Sequence, residues 1–151
     1  MKELLAKAGR LLLVFSIFAI VGIVVVGAKA IIGEYLKENR EEKFEITLIK
    51  LANKFNQRLP LSIDKDTRLD SAVAKGKSIE YKYTLINSQA SSISGSAIIN
   101  HVKPIMINSV CSNKDLYPVL RRGAEFIYTY YGKNGGQVIS FSIYSADCKN
   151  S

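Results

Sequence analysis

Residues 124–145, AEFIYTYYGKNGGQVISFSIYS, contain two strand-like runs on either side of a glycine-rich turn. The first run is rich in aromatic and β-branched residues, which favour strands. In the second run, residues 137–145, Ile139, Phe141 and Ile143 alternate with small polar residues. Such alternation is typical of a strand with one buried face. The segment therefore predicts a β-hairpin whose turn is GKNGG.

A second hairpin is predicted upstream, between residues 68 and 85. Residues 68–74 form its first strand, Lys75-Gly76-Lys77 its turn, and residues 79–85 its second strand, in which apolar and polar residues alternate. Each hairpin follows a stretch with apolar residues at helical spacing, residues 44–59 and residues 98–110. Pro60 should end the first helix, and Pro104 should kink or divide the second.

The order helix, hairpin, helices, hairpin predicts the fold class of residues 44–151. We expect an α+β domain with a four-stranded antiparallel sheet made of two hairpins and with helices packed on one face.

The N-terminal part of the chain has a different composition. Leu11–Ala28 is eighteen residues without a charge. At about 1.5 Å per residue this nearly crosses a hydrocarbon core of roughly 30 Å. We therefore predict an uncleaved signal anchor, a transmembrane helix within residues 1–33. A signal peptide cleaved near Ala28-Lys29-Ala30 is the alternative, because that tripeptide resembles a cleavage site.

The anchor sets the predicted domain organisation and location. Residues 34–43 are mostly charged and are predicted to be a helical stalk or linker before the domain at residues 44–151. The short N-terminus carries basic residues and is expected to stay inside. These features predict a single-pass protein of the bacterial inner membrane with its C-terminal domain in the periplasm or extracytoplasmic space.

The chain has two cysteines, Cys111 and Cys148, both in the distal domain. In an exported small domain such a pair indicates a disulfide, here between the end of the central helix and the end of the last strand. Two free buried thiols or a metal pair are the alternatives. His101 is the single histidine, so no zinc cluster of histidines and cysteines can form.

An acidic stretch, residues 64–70, raises the question of catalysis. Asp64 and Asp66 have the first spacing of a calcium loop, but Leu69 stands where that loop requires glycine. A small envelope hydrolase using Asp66 or Asp70 is one hypothesis. Aspartates after a proline more often serve turns by accepting backbone hydrogen bonds, and this interpretation is preferred. We therefore predict no catalytic residue, no metal site and no cofactor.

The tyrosines give the candidate partner-binding surface, because tyrosine is enriched at protein interfaces. Cross-strand packing beneath the helices is the alternative interpretation of the same residues. The dense arginine pair at the end of a predicted short helix joins them as a candidate. The predicted partner-binding residues are Tyr81, Tyr83, Tyr128, Tyr130, Tyr131, Arg121 and Arg122.

Residues 44–151 carry fourteen Lys and Arg against eight Asp and Glu, a net charge of +6. The basic residues are dispersed, which is typical of a solvated surface. Binding to anionic lipid or to an envelope polymer is the alternative. Nucleic acid is not expected as a partner of an exported domain.

The pattern formed by LPLSIDKDTRLDS (residues 59–71), YKYTL (residues 81–85) and the cysteine pair resembles a widespread group of small exported bacterial proteins, most of which have no assigned function. The resemblance covers about residues 50–148 and implies fold and compartment without implying a reaction. More distantly, a helix-flanked sheet with one disulfide is similar to secretion pilotins. This chain differs from them because no cysteine lies near the end of its apolar run.

Together these features favour a membrane-anchored, non-catalytic envelope protein whose distal domain binds a protein partner. Its role would be in assembly, as a secretion accessory, or as an inhibitor or exclusion factor. The hydrolase and the lipid- or polymer-binding module remain as alternatives from other classes.

Overall fold

The computed structural model describes residue 29 and residues 31–150. The chain forms two units, residues 1–42 and residues 43–151. In the first unit the described residues are helical. All of them are exposed except Asn39, whose exposure is intermediate. The predicted division into anchor, stalk and domain stays a prediction. The sheet, the apolar core and the disulfide all belong to the second unit.

The second unit is built on a five-stranded mixed sheet in the order β1-β2-β3-β4-β5. β1–β2, β2–β3 and β4–β5 pair antiparallel, whereas β3 and β4 run parallel at the centre. The strands are β1 Leu61–Ser62, β2 Thr67–Lys75, β3 Ser78–Leu85, β4 Glu125–Gly132 and β5 Gln137–Ile143.

The predicted four-stranded antiparallel sheet is therefore wrong in two respects, although the α+β class and the two hairpins are correct. A fifth strand, β1, pairs with β2 through Leu61 and Ser62. The hairpins meet through parallel strands because residues 86–124 return the chain, by way of helices, to the starting end of β3. A helical crossover of this kind joins strands that run in the same direction.

Three helices accompany the sheet, namely α1 (residues 43–56), α2 (Gly95–Ser112) and α3 (Tyr117–Arg121). The Ser94 side chain accepts a hydrogen bond from the Ala97 amide at the start of α2. The prediction was that Pro104 would kink or divide this helix; α2 continues through Pro104, so the proline does not divide it. Before α3, the Asn113 side chain accepts hydrogen bonds from the Asp115 and Leu116 amides, and these bonds support the turn into that helix.

One apolar core joins the helices to one face of the sheet. Helix α1 contributes Leu48, α3 contributes Leu120, and the sheet contributes Ile79, Phe126 and Ile143, all with 0% of their surface exposed. The alternation within β3, β4 and β5 places these apolar residues on the same face. The expectation that the helices pack on one face of the sheet is met.

A disulfide between Cys111 and Cys148 is present, as predicted, with the two Cα atoms 5.5 Å apart. Cys111 lies in the last turn of α2, and Cys148 lies in a short 3₁₀ helix, Asp147–Asn150, that follows β5. The bridge therefore fastens the central helix to the segment after the last strand.

The predicted transmembrane helix is not supported by the part of the chain that the structure describes. No helix within residue 29 and residues 31–150 is both long enough and apolar enough to cross a membrane. That finding corrects the predicted single-pass location in the bacterial inner membrane. The apolar run Leu11–Ala28, on which the prediction was based, lies outside the described residues.

Candidate partner-binding site

The acidic stretch forms a turn. One carboxylate oxygen of Asp64 accepts hydrogen bonds from the Asp66 amide (2.7 Å) and the Thr67 amide (2.8 Å). The bond from the Asp66 amide is the leading cause of the lowered pKa of Asp64. The Asp66 carboxylate accepts from the Asn87 side chain at 2.7 Å, which ties the turn to the end of β3. The turn interpretation of this stretch is confirmed.

The face of the sheet that points away from the helices carries carboxylates whose oxygens accept hydrogen bonds from threonine hydroxyl groups. Asp70 accepts hydrogen bonds from Arg68 and from Thr84. Thr129 donates to Glu80 at 2.7 Å. The two aspartates of the hydrolase hypothesis therefore have different partners, Asn87 for Asp66 and Arg68 with Thr84 for Asp70. Among the described residues, no three His, Cys, Asp or Glu side chains lie close enough together to hold a metal ion.

Four of the predicted partner-binding tyrosines lie inside the core. Tyr81, Tyr83, Tyr128 and Tyr130 are 3–6% exposed. Their rings stack across the parallel β3–β4 pair, with centroids 5.3 Å apart between Tyr81 and Tyr128 and 4.9 Å apart between Tyr83 and Tyr130. These four are packing residues in this structure and are not available at the surface. The cross-strand alternative describes them correctly.

The remaining predicted partner-binding residues lie nearer to solvent. Tyr131 is half-buried, and Arg121 and Arg122 are exposed. The Arg122 guanidinium lies 4.7 Å from the ring centroid of Phe44, and that of Arg121 lies 5.9 Å from the ring centroid of Tyr117. Both arginines therefore rest on aromatic faces of their own domain. Their role as contact residues stays a prediction.

Burial of the tyrosine stack should make the domain less stable at alkaline pH. Burial raises the pKa of Tyr83 from 10.0 to about 12, and it also raises the pKa of Tyr81, Tyr128 and Tyr130. Above pH 10 the unfolded chain loses these phenolic protons while the folded chain keeps them. As far as these groups are concerned, the free energy of unfolding should be constant below pH 10. It should fall as the pH rises from 10 through 12.

Urea denaturation at a series of pH values, with tyrosinate absorbance as a second probe, measures this loss. Tyr81→Phe is the informative variant, because the Tyr81 hydroxyl is buried and has no hydrogen-bond partner among the described residues. It should be as stable as the parent at neutral pH, or more stable, and should lose less stability at high pH. An identical decline in both proteins would show that the stack does not cause it.

A cavity of about 420 Å³ lies between the end of α1 and the β1 edge of the sheet. Its wall is mostly apolar, as is typical of binding clefts. Leu61 and Ile63 stand at its rim with 49% of their surface exposed. The apolar wall includes Leu51, Phe55, Leu59, Leu61, Ile63 and Leu69.

Local structure explains why these rim residues remain exposed. Pro60 follows a cis peptide bond after α1, and the chain then makes only two residues of strand before the Asp64 turn. Leu61 is paired with the buried Leu69, but β1 is a two-residue strand at the edge of the sheet, and Leu61 and Ile63 stay half exposed there. The sequence contained the relevant signal, since both are apolar residues within a stretch otherwise typical of a polar turn. This cleft was nevertheless not predicted.

Charged groups stand at the mouth of the cavity. The Lys54 amine and the Asp115 carboxylate lie 3.9 Å apart, both highly exposed, and Arg58 and Asn113 complete the polar lining. An exposed pair of this kind contributes little stability and separates readily.

Comparison with solved structures gives three similar folds. The pilotin EpsS from the Vibrio vulnificus type 2 secretion system aligns with a TM-score of 0.61 and 13% identity over 74% of this chain and 96% of its own. The pilotin AspS from the Vibrio cholerae type II secretion system aligns with a TM-score of 0.59 and 17% identity over 74% of this chain and 98% of its own. The domain has the fold of these secretion pilotins.

The third similar structure is a Pseudomonas aeruginosa protein that is presumed to be secreted. It aligns with a TM-score of 0.63 and 21% identity over 72% of this chain and 95% of its own. No family model matches the sequence, and no curated protein matches it. The similarity to pilotins is thus a similarity of fold, and the expectation of a distant pilotin-like fold is met.

Proposed function

We propose that this protein is a non-catalytic accessory of a secretion system and that it binds a protein partner in the apolar cleft beside β1. The observation that carries the proposal is the pair of half-exposed apolar side chains, Leu61 and Ile63, at the rim of a 420 Å³ cavity. Contiguous exposed apolar surface marks interaction sites, and binding sites are concave and mostly apolar. The pilotin-like fold supports the secretion role.

Burial of the rim supplies a driving force for binding. Covering a large aliphatic side chain completely contributes about 1.5–3 kcal/mol, so each half-exposed rim residue contributes about 1 kcal/mol when a partner covers it. Phe55 and Leu69 extend the same apolar surface into the cavity. An apolar side chain of the partner that fills the cavity would add more, because the wall is already formed.

The charged mouth favours one kind of partner. Lys54 and Arg58 stand opposite the single carboxylate of Asp115. The whole domain carries a net charge of +6. A partner segment with apolar residues flanked by acidic ones matches both features, and its association should weaken as the salt concentration rises.

The test is site-specific photocrosslinking in cells from the rim positions Leu61 and Ile63. We expect one adduct common to both positions, and mass spectrometry should identify it as a component of a secretion system. Ile105, an apolar residue of α2 that is 66% exposed, is the matched control and should give no such adduct. Leu61→Asp should reduce the Ile63 adduct several-fold, because a charge at the rim would have to be desolvated.

Equal adducts from Ile105 and from the rim would show that exposure alone, and not the cleft, explains the crosslinks. Absence of any adduct from either rim position would contradict the proposal.

A further inference from the structure

The two edges of the sheet are built differently. At the β1 side, β2 pairs with Leu61 and Ser62 of β1. Beyond that short strand, the Asn56 side-chain amide takes the place of a neighbouring strand. It donates to the Ala72 carbonyl (2.7 Å) and accepts from the Ala72 amide (2.9 Å). The Glu45 carboxylate accepts from the Gly76 amide at 3.1 Å. This edge is therefore closed along most of its length.

The β5 edge has no such hydrogen-bonded cover among the described residues. The start of α2 comes close to it only near the turn, where a Cβ atom at Gly95 would lie 3.3 Å from the Val138 carbonyl oxygen. Within the part of the chain that the structure describes, no backbone or side-chain group outside β4 forms a hydrogen bond with the backbone of Gln137–Ile143. The strand contains no charged residue and no proline. Edge strands of monomeric proteins usually carry such residues to prevent further pairing. The register shift at Tyr130/Tyr131 affects only the end of the strand near the turn.

We infer that the β5 edge is a second interaction surface, separate from the cleft, which accepts an extended segment of a partner protein as a sixth strand. Unpaired backbone N–H and C=O groups in strand geometry are best satisfied by another extended backbone. The asymmetry between the edges limits such addition to one side of the sheet. This inference uses none of the residues that line the cleft.

Side chains beside β5 define the chemistry of the incoming segment. Ile139, Phe141 and Ile143 face the core side, so apolar residues on the same side of the added strand would continue that layer. The Lys103 amine of α2 lies 5.8 Å from the centroid of the Phe141 ring and makes no ion pair with a described residue. Directly opposed residues on paired strands have Cβ atoms about 5 Å apart. An acidic residue opposite Phe141 would thus reach Lys103.

Charge also decides between the two possible occupants of this edge. A second copy of the chain would bring another domain of net charge +6 and a second Lys103 to the same place. An acidic partner segment instead brings the opposite charge. The structure therefore favours the acidic segment.

The test uses the full chain and the acetylated, amidated heptapeptide Thr-Val-Thr-Glu-Thr-Val-Thr as the probe. Calorimetry gives the affinity, and amide chemical shifts with hydrogen exchange give the location. We expect shifts and slowed exchange in β5, and binding about threefold tighter than that of the same peptide with lysine in place of glutamate. Lys103→Glu should reverse this preference. Lys75→Glu, at the exposed end of β2 and away from both surfaces, makes the same change of charge; it is the matched control and should leave the preference unchanged.

A third peptide, N-methylated at alternate residues, removes the backbone donors that strand addition needs. Its binding with undiminished affinity would overturn the proposal, as would failure of the parent peptide to bind. Shifts confined to Leu61 and Ile63 would assign the peptide to the cleft, overturning this inference while leaving the proposed function in place. Dimerisation that the peptide reverses, measured by sedimentation, would assign the edge to a second copy and equally overturn the proposal.

Discussion

Removing the Cys111–Cys148 disulfide will lower the free energy of unfolding by about 4 kcal/mol. The two residues are 37 positions apart, and in the chain-entropy description a bridge of that span restricts the unfolded chain by about this amount. The loss is large relative to the 5–15 kcal/mol that typically stabilises a native domain. Urea denaturation of the Cys111→Ala/Cys148→Ala double variant, monitored by circular dichroism, provides the measurement.

Reduction of the parent protein supplies the control for this prediction. Under a strong thiol reductant the parent should fall to the stability of the double variant, whereas the variant should not respond. A parent protein with the same unfolding midpoint under oxidising and reducing conditions would show that the bridge does not stabilise the fold.

Gly132→Ala will destabilise the domain by about 3 kcal/mol, at the top of the usual range for overpacking. A Cβ atom at Gly132 would lie 2.2 Å from the Ala90 backbone nitrogen and 2.8 Å from its Cα. The obstacle is backbone, which cannot rotate away as a side chain can. The Ala90 amide also donates to the Asn134 side chain at 3.1 Å, and separation of the two segments would break this bond.

Gly136→Ala in the same turn is the matched control. Its Cβ would meet the Ala90 methyl group at 3.0 Å, a tight contact that a small shift relieves, whereas the 2.2 Å approach at Gly132 requires a larger one. We expect the loss for Gly136→Ala to be clearly smaller than that for Gly132→Ala when both are measured by urea denaturation. Equal losses would mean that the close approach of Gly132 to Ala90 is not what the substitution disturbs.

Local patterns in the sequence predict the local elements correctly, and for physical reasons. Alternation of apolar residues specifies the faces of β3 and β5, and Gly76 adopts the positive φ of 56° that a tight turn requires. The Asp64 turn follows from the tendency of aspartate to accept nearby backbone hydrogen bonds. Each of these features depends on residues close together in the chain.

The errors concern relations between distant segments. Two residues of β1 are too few to give a periodic signal, and the parallel pairing of β3 with β4 depends on where α2 and α3 return the chain. Four tyrosines at alternate positions are equally compatible with a core face and a binding face. Which of the two they form depends on the face that the helices cover. The spacing of the tyrosines carries no information about that face. The cleft likewise depends on how α1 packs beside β1, which local sequence patterns do not show.

The parallel junction between β3 and β4 also bears on how the chain reaches this structure. Each hairpin closes a short loop, and hairpins form within microseconds. The junction instead joins residues such as Ser78 and Glu125, which lie 47 positions apart and hydrogen-bond at 3.1 Å. Closing so long a loop costs entropy before its contacts form, which slows folding. The two hairpins should therefore form early, and the tyrosine stack that joins them should form near the rate-limiting step.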